Sequence, residues 1–375
     1  MCEVKAMQLK NLHLHNFRCY ADLDISFDKK MTVLVGLNGH GKSAVLDAIE
    51  LALSALDEEP LPIESKDVRM QPVRENKKIV AMEQRLPVEL EAEFDKVKIY
   101  RRLTERHGDT DTTISGKLAE PKLTHVFAYY DTTRITTEAH FFSTPFKDLQ
   151  GAFPAIKTAA NGGLHRLSTK LDYNETLKKL GFIDPGDGEL LAESASDGAR
   201  CAMGTVADLA MRMALANSEL GAQAAEKTPG IVLIDEVDLL LHPSWQQTVL
   251  TDLMRIFPKV QFVVTTHSPQ VLSTVKPDQI RILDDRTGIV VQPDFSLGAE
   301  SRQLLEDIQH VASRPEHMPI VRTLNRYLKL VAQDQFDSAE AKNLRKKLDS
   351  WGAGSDPVLL RADMDIRLRK MRRKE

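Results

Sequence analysis

The sequence predicts an α/β protein: a central, mostly parallel sheet, an antiparallel β-lobe near the N-terminus and helices at the C-terminus. Three observations carry this. Two apolar runs, "GIVLIDE" ending at Glu236 and "VQFVVTTH" ending at His267, show no alternation, as expected of strands covered on both faces. The first 35 residues do alternate, as half-buried antiparallel strands do. From Ser301 onward the apolar spacing is helical.

Taken in order, "MQLKNLHLHNF" places Met7 and Leu9, and then Leu12 and Leu14, at two-residue spacing, and "DLDISFD" places Leu23, Ile25 and Phe27 on one face. "MTVLVG" is a short apolar strand that runs into a Gly-rich turn. "KSAVLDAIELALSAL" then sets Val45, Leu46, Ile49, Leu53 and Leu56 on one helical face. Residues 57–80, rich in Pro and charge, read as loop. "PVELEAEF" and "KVKIYRRL" read as a strand pair, residues 104–122 as a polar surface excursion, and "THVFAYY" as a strand. Residues 140–190 have weak periodicity and yield no assignable element. A long helix follows Asp197. "PSWQQTVLTDLMRIF" reads as one helix with Pro243 in its first turn. "QIRIL" and "GIVVQ" form a hairpin around Asp285–Gly288. Roughly four amphipathic helices close the chain, broken near Arg314–Pro319 and Trp351–Pro357.

The composition excludes several classes. The 375 residues are 42% hydrophobic and 28% charged, within the range of soluble globular proteins. The net charge of −4 is not that of a polycation built to grip nucleic acid, although a local basic patch remains open. No run of 18 apolar residues exists, so no membrane contact is expected. The first residues lack an apolar signal core. Cys2, Cys19 and Cys201 are scattered and odd in number, which points to a reducing cytoplasm.

Three motifs carry chemistry. "GLNGHGKS", Gly36 to Ser43, fits G-x-x-x-x-G-K-[ST] between a strand and a helix. In such a loop Gly36, Asn38, Gly39 and Gly41 let backbone N–H groups turn inward onto phosphates, helped by the helix N-terminus. Lys42 would reach the β and γ phosphates of ATP, and Ser43 would hold Mg²⁺. Asp235 and Glu236 end a buried strand, where carboxylates are costly unless a cation sits beside them. Asp235 fits the Mg²⁺ shell, and Glu236 fits the residue that orients the attacking water. His267 ends the second buried strand. Ligands of α/β sheets gather at such carboxyl ends, so His267 is a candidate contact to the γ-phosphate or the water.

These stretches, with "NFRCY" (Asn16 to Tyr20) and "SDGAR" (Ser196 to Arg200), resemble ABC-type P-loop ATPase heads of the SMC and RecF kind, over residues 7–270. "LHPSWQ" after the acidic pair is typical of the overcoming-lysogenization-defect-like branch. The resemblance implies that Ser196 and Gly198 contact the γ-phosphate held by an opposite copy. It implies that Asp238 lies on the loop crossing that interface and that Arg18 lies near the nucleotide phosphates. A glutamine that usually touches Mg²⁺ has two candidates, Gln71 and Gln84. No heptads separate Lys42 from Ser196, so a compact lobe replaces the coiled-coil arm of long SMC proteins. The expected division is an ATPase head over 1–300, with a compact insertion and helical lobe within 57–190, and a partner-docking helical region over 301–375.

The C-terminal helices and "AYYDTTR" (Ala128 to Arg134) resemble the ATPase subunit of Septu and retron-associated anti-phage defence systems. That resemblance implies a homodimer of heads, or a higher oligomer, around Mg²⁺ and ATP. It further implies a separate HNH-type nuclease as partner and DNA contact through the complex. The alternatives are a RecF- or SMC-like DNA-repair ATPase and an ATPase carrying its own Toprim nuclease. The latter is disfavoured because only helices follow the hairpin; "DMD" (Asp363 to Asp365) sits in a basic helical stretch.

Overall fold

The computed structural model describes residues 7–75, 78–106, 108–116, 123–132, 151–163, 170–174, 179–184, 188–191, 196–284, 288, 290–352 and 354–372. Two compact units divide the chain, Met1–Gln309 and His310–Glu375.

The first unit is organised by a six-stranded sheet. Its strands β3 (Met31–Val35), β9 (Val126–Tyr130), β13 (Gly230–Ile234), β14 (Val260–Thr265), β15 (Ile280–Leu283) and β16 (Val290–Val291) lie in the order β16-β15-β3-β14-β13-β9. All pairs are parallel except β15–β16, the expected hairpin. Strands β3, β13 and β14 are buried at every residue. The reason is a core on each face. Val232, Ile234 and Val264 face one, packed with helices α2 (Phe153–Gly163), α3 (Asp197–Ala216) and α6 (Val249–Ile256). Ile231, Leu233 and Val263 face the other, packed with α1 (Lys42–Ser54) and an antiparallel sheet.

That second sheet has the order β2-β1-β6-β7-β8, from β1 (Leu9–Phe17), β2 (Tyr20–Ser26), β6 (Val88–Phe94), β7 (Val97–Leu103) and β8 (Thr110–Gly116). Leu9 and Leu12 are both buried although three residues apart. A register shift between Leu9 and Asn11 against β6 restores the phase. The buried Gln261 of β14 clasps the two sheets together. Its side chain accepts from Leu9 N at 2.8 Å and donates to Leu9 O and Asp28 O at 2.8 Å each. Arg101 of β7, also buried, donates to Leu51 O and Leu61 O at 2.6 Å each. It thereby satisfies a carbonyl in the last turn of α1 and ties it to the segment that follows the helix.

The structure differs from the sequence expectation in four places. Residues 57–80, expected as loop, contribute β4 (Arg69–Glu75) and the start of β5 (Lys78–Arg85), a separate two-stranded hairpin. Pro72 is tolerated there because, among the described residues, the pair has no further strand neighbour. The polar stretch 104–122 contains β8, whose Thr-rich sequence suits an exposed edge. The helix expected over 243–257 is split into α5 (Pro243–Gln246) and α6, because Thr248 leaves helical geometry at φ −123°. The weakly patterned region holds, among its described residues, α2 and an antiparallel sheet of β10 (Lys170–Asn174), β11 (Lys179–Asp184) and β12 (Gly188–Leu191), rather than helices alone.

Helices α4 (Ala224–Lys227), α7 (Pro269–Leu272) and α8 (Ser301–Asp307) complete the first unit. The second unit comprises α9 (Pro319–Ala332), α10 (Ala339–Gly352) and α11 (Pro357–Arg372), which share a core of Leu324, Tyr327, Leu348 and Leu359. Asp363 is held by Arg345 and Asp365 by Arg369, so both carboxylates of "DMD" are neutralised by arginines. No helix of the described residues is long and apolar enough to cross a membrane.

The clasp is directly testable. Gln261→Leu strands three backbone groups at a buried position, an expected loss of about 2–4 kcal/mol. Denaturant unfolding of the wild type and the variant measures it.

Candidate nucleotide site

Four carboxyl ends of the parallel sheet lie side by side: those of β3, β14, β13 and β9. Beyond β3, the chain turns through Gly36–Gly41 into α1. Gly41 has φ +77°, and a Cβ there would lie 2.4 Å from Cys19 Sγ and 2.5 Å from the Tyr20 hydroxyl. No other residue fits. Tyr20 donates to His40 O at 2.7 Å, which pins the loop to β2. No side chain caps the first turn of α1, and no acidic residue lies in it. Its leading N–H groups therefore favour an anion.

Lys42 is buried, with Nζ 3.0 Å from Gly36 O and 3.1 Å from Leu37 O. Burial pushes its ammonium below the usual lysine value, while Asp235, Glu236 and Asp238 pull the other way. Ser43, exposed at the head of α1, donates to Asp235 Oδ2 at 2.7 Å. This bond joins the loop after β3 to the acidic end of β13 across 192 positions of sequence. A hydroxyl and a carboxylate so placed are the hard oxygen donors that Mg²⁺ takes.

After Asp235 the chain makes two tight turns, closed by Leu239 N to Glu236 O at 2.8 Å and Leu241 N to Asp238 O at 3.1 Å. Glu236 (φ +50°) and Leu240 (φ +61°) both adopt left-handed backbone. For non-glycine residues this costs roughly 1–3 kcal/mol each and tends to mark functional loops. The loop is tied to the end of β14. Thr266 donates to Asp238, and Ser268 donates to Gln246 Oε1 at 2.7 Å.

His267 is partly buried, and its carbonyl accepts from Gln309 Nε2 at 2.8 Å. Burial and the Lys42 charge push its imidazole below the usual value, against the pull of Asp238, Glu236 and Asp235. The ring is thus neutral near pH 7.

Ser196 caps α3, accepting from Ala199 N at 3.3 Å. Gly198 is pressed against the turn after Glu236: a Cβ would lie 2.5 Å from Leu240 O. Gly198 thus abuts the Asp238 loop, whose carboxylates also act on Lys42 and His267, while Ser43 bonds to Asp235. Glu193 to Ala195 lie outside the described residues.

Arg18 is placed otherwise than as a free phosphate ligand. It pairs with Asp47 of α1 and with Asp67 at 2.8 Å, and Tyr129 donates to the same Asp47 at 2.9 Å. It therefore ties α1, through Asp47, to Asp67 ahead of β4. Gln71 and Gln84 both lie in the β4–β5 hairpin, in a different sheet from the acidic pair. The end of β9 instead abuts Asp235, whose N–H donates to Tyr130 O at 2.8 Å. One site residue escaped sequence reading altogether: Thr265, whose hydroxyl donates to Asp235 Oδ1 at 2.5 Å. The signal was the doubled threonine of "TTHSP", where strand propensity alone would have accepted valine.

The model of the RecF/RecN/SMC N-terminal domain matches residues 8–290, which hold the phosphate loop, Ser196 to Arg200, the acidic pair and His267. The chain belongs to this family. Among relatives of this RecF/RecN/SMC chain, the retron Ec83 probable ATPase of Escherichia coli is 34% identical over 188 residues, covering 50% of this chain and 34% of that protein. The Septu protein PtuA of Bacillus mycoides is 22% identical over 314 residues, covering 76% of this chain and 42% of its own length. The chain thus spans less than half the length of these relatives. An SMC head solved in complex with the C-winged helix domain of ScpA aligns with a TM-score of 0.53 at 17% identity, covering 77% of this chain and 98% of that one. That likeness confirms the head fold.

The depressed His267 value has a stability consequence with a defined sign. The folded state resists protonation that the unfolded chain accepts near pH 6.5, so this contribution is lost as pH falls below that value. His267→Gln is expected to lose less melting temperature than wild type between pH 7.5 and 5.5, compared by thermal melts at about equal ionic strength.

Proposed function

We propose that this chain is the ATP-hydrolysing subunit of an anti-phage defence complex of the Septu kind, whose heads pair around Mg²⁺ and ATP to control a separate HNH-type nuclease. The observation that carries the nucleotide reading is the 2.7 Å bond from Ser43 to Asp235, which sets a phosphate loop against an acidic strand end. In this reading the loop Gly36–Gly41 (with Asn38 and Gly39) and Lys42 bind the phosphates, and Ser43 and Asp235 hold Mg²⁺. The metal supplies charge neutralisation on the phosphates. Glu236 orients the attacking water and accepts its proton, and neutral His267 reads the γ-phosphate. Ser196, Gly198 and Asp238 complete the site of the opposite copy. The close packing of Gly198 on Leu240 supports this, because it sets the start of α3, with exposed Ser196, against the loop that carries Asp238. Arg18 acts through α1.

Kinship with the Septu and retron ATPases supports the defence role. The C-terminal unit supports a partner. Leu359, Ala362 and Ile366 of α11 pack into their own core. Leu360, Met364, Leu368 and Met371 line its other face at 49–66% exposure, rimmed by exposed Arg361 and Arg367. We assign this stripe to the nuclease subunit, with DNA reached through the complex.

Three outcomes test the reading. Glu236→Gln is expected to retain ATP, lower turnover about 10²–10⁴-fold and shift the chain to dimer in light scattering. Ser196→Arg is expected to bind ATP normally and hydrolyse none; normal hydrolysis would refute the shared site. With Mg²⁺ or Mn²⁺ the pure chain is expected to leave DNA intact; robust cleavage would overturn the separate-nuclease reading.

A further inference from the structure

Thr265 is the last residue of β14 and is fully buried. The two preceding positions are Val263 and Val264. A hydroxyl at such a position is unfavourable unless it is paired on both sides. Here it is paired on both. It donates to Asp235 Oδ1 at 2.5 Å and accepts from Glu236 N at 2.7 Å. The carbonyl of Thr265 then accepts from Val237 N at 2.9 Å. One residue thus anchors three successive positions of the acidic loop. With Oδ1 occupied, Oδ2 is the oxygen turned toward Ser43. The branched Cβ restricts the rotamer that makes both bonds. The same hydroxyl satisfies an N–H that the left-handed backbone of Glu236 takes out of the strand ladder.

We propose that Thr265 is a positioning residue for the divalent cation: its hydroxyl holds Asp235 with Oδ2 presented beside Ser43 and keeps Glu236 in its left-handed conformation. The proposal rests on the Mg²⁺-nucleotide reading of this site. Removing the hydroxyl frees the Asp235 carboxylate to rotate and leaves the Glu236 N–H without this acceptor. The phosphate loop, held by Tyr20 and by the carbonyls that bind Lys42, is untouched. Metal-dependent binding is therefore separable from metal-free binding.

The test is a Mg²⁺ titration of the binding of a fluorescent ATP analogue to the full chain, with a matching series in EDTA. Thr265→Val preserves shape and loses the hydroxyl. It is expected to need about 10–100-fold more Mg²⁺, the usual effect of losing a group that orients a metal ligand, with binding in EDTA unchanged. Thr265→Ser is expected to restore the wild-type titration. Should Thr265→Val fail to fold by thermal melt, Thr265→Ala, which adds no bulk, carries the same expectation. A wild-type Mg²⁺ requirement in the hydroxyl-free variant overturns the proposal. So does a parallel loss of binding with and without Mg²⁺, the mark of a purely structural role. A wild-type chain that binds the analogue equally with and without Mg²⁺ would instead remove the underlying site reading.

Discussion

Asp235 is 6% exposed at the end of a strand whose other residues are all buried. A carboxylate there is tolerated only if its oxygens are met by donors or a cation. Much of the head is arranged to meet them. Ser43 arrives from the loop after β3, Thr265 from the end of β14, and Tyr130 takes the backbone N–H from β9. These groups reach one point because parallel strands deliver their carboxyl ends to one edge. The strands are parallel and adjacent because helices cover one face and α1 with the antiparallel lobe covers the other.

The electrostatics follow from the same crowding. Lys42 sits among three carboxylates yet has its charge disfavoured by burial, and His267 is driven toward the neutral form by burial and by Lys42. The edge thus sets one ammonium and an imidazole with a lowered pKa beside three carboxylates. The charge of Arg18 is taken up by Asp47 and Asp67, so it stiffens the first helix rather than adding to the positive field in front of it.

Much of this was legible in the letters. The unbroken apolar runs marked β13 and β14, and glycine spacing marked the phosphate loop, because both patterns have few alternative physical solutions. Alternation marked β1, although the phase slip between Leu9 and Leu12 is explained only by the bulge against β6. The β4–β5 hairpin and β8 were missed because none of their described side chains is buried, so burial imposes no pattern. Gln71 and Gln84 were candidates by resemblance alone, and both lie in the β4–β5 hairpin, a different sheet from the one that ends at Asp235. Thr265 was passed over because its role is to hold another residue's carboxylate, which sequence spacing does not encode.

The contact between Gly198 and Leu240 has a consequence for how this surface tolerates change. What Leu240 offers there is a carbonyl; its side chain is 45% exposed and its backbone is left-handed. The two positions are thus asymmetric partners. At 198 any side chain at all drives the helix off the loop. At 240 the letter is nearly free, and glycine or asparagine relieves strain rather than adding it. A surface assembled from main-chain atoms keeps its shape while its exposed letters drift, provided that one hydrogen atom stays where it is.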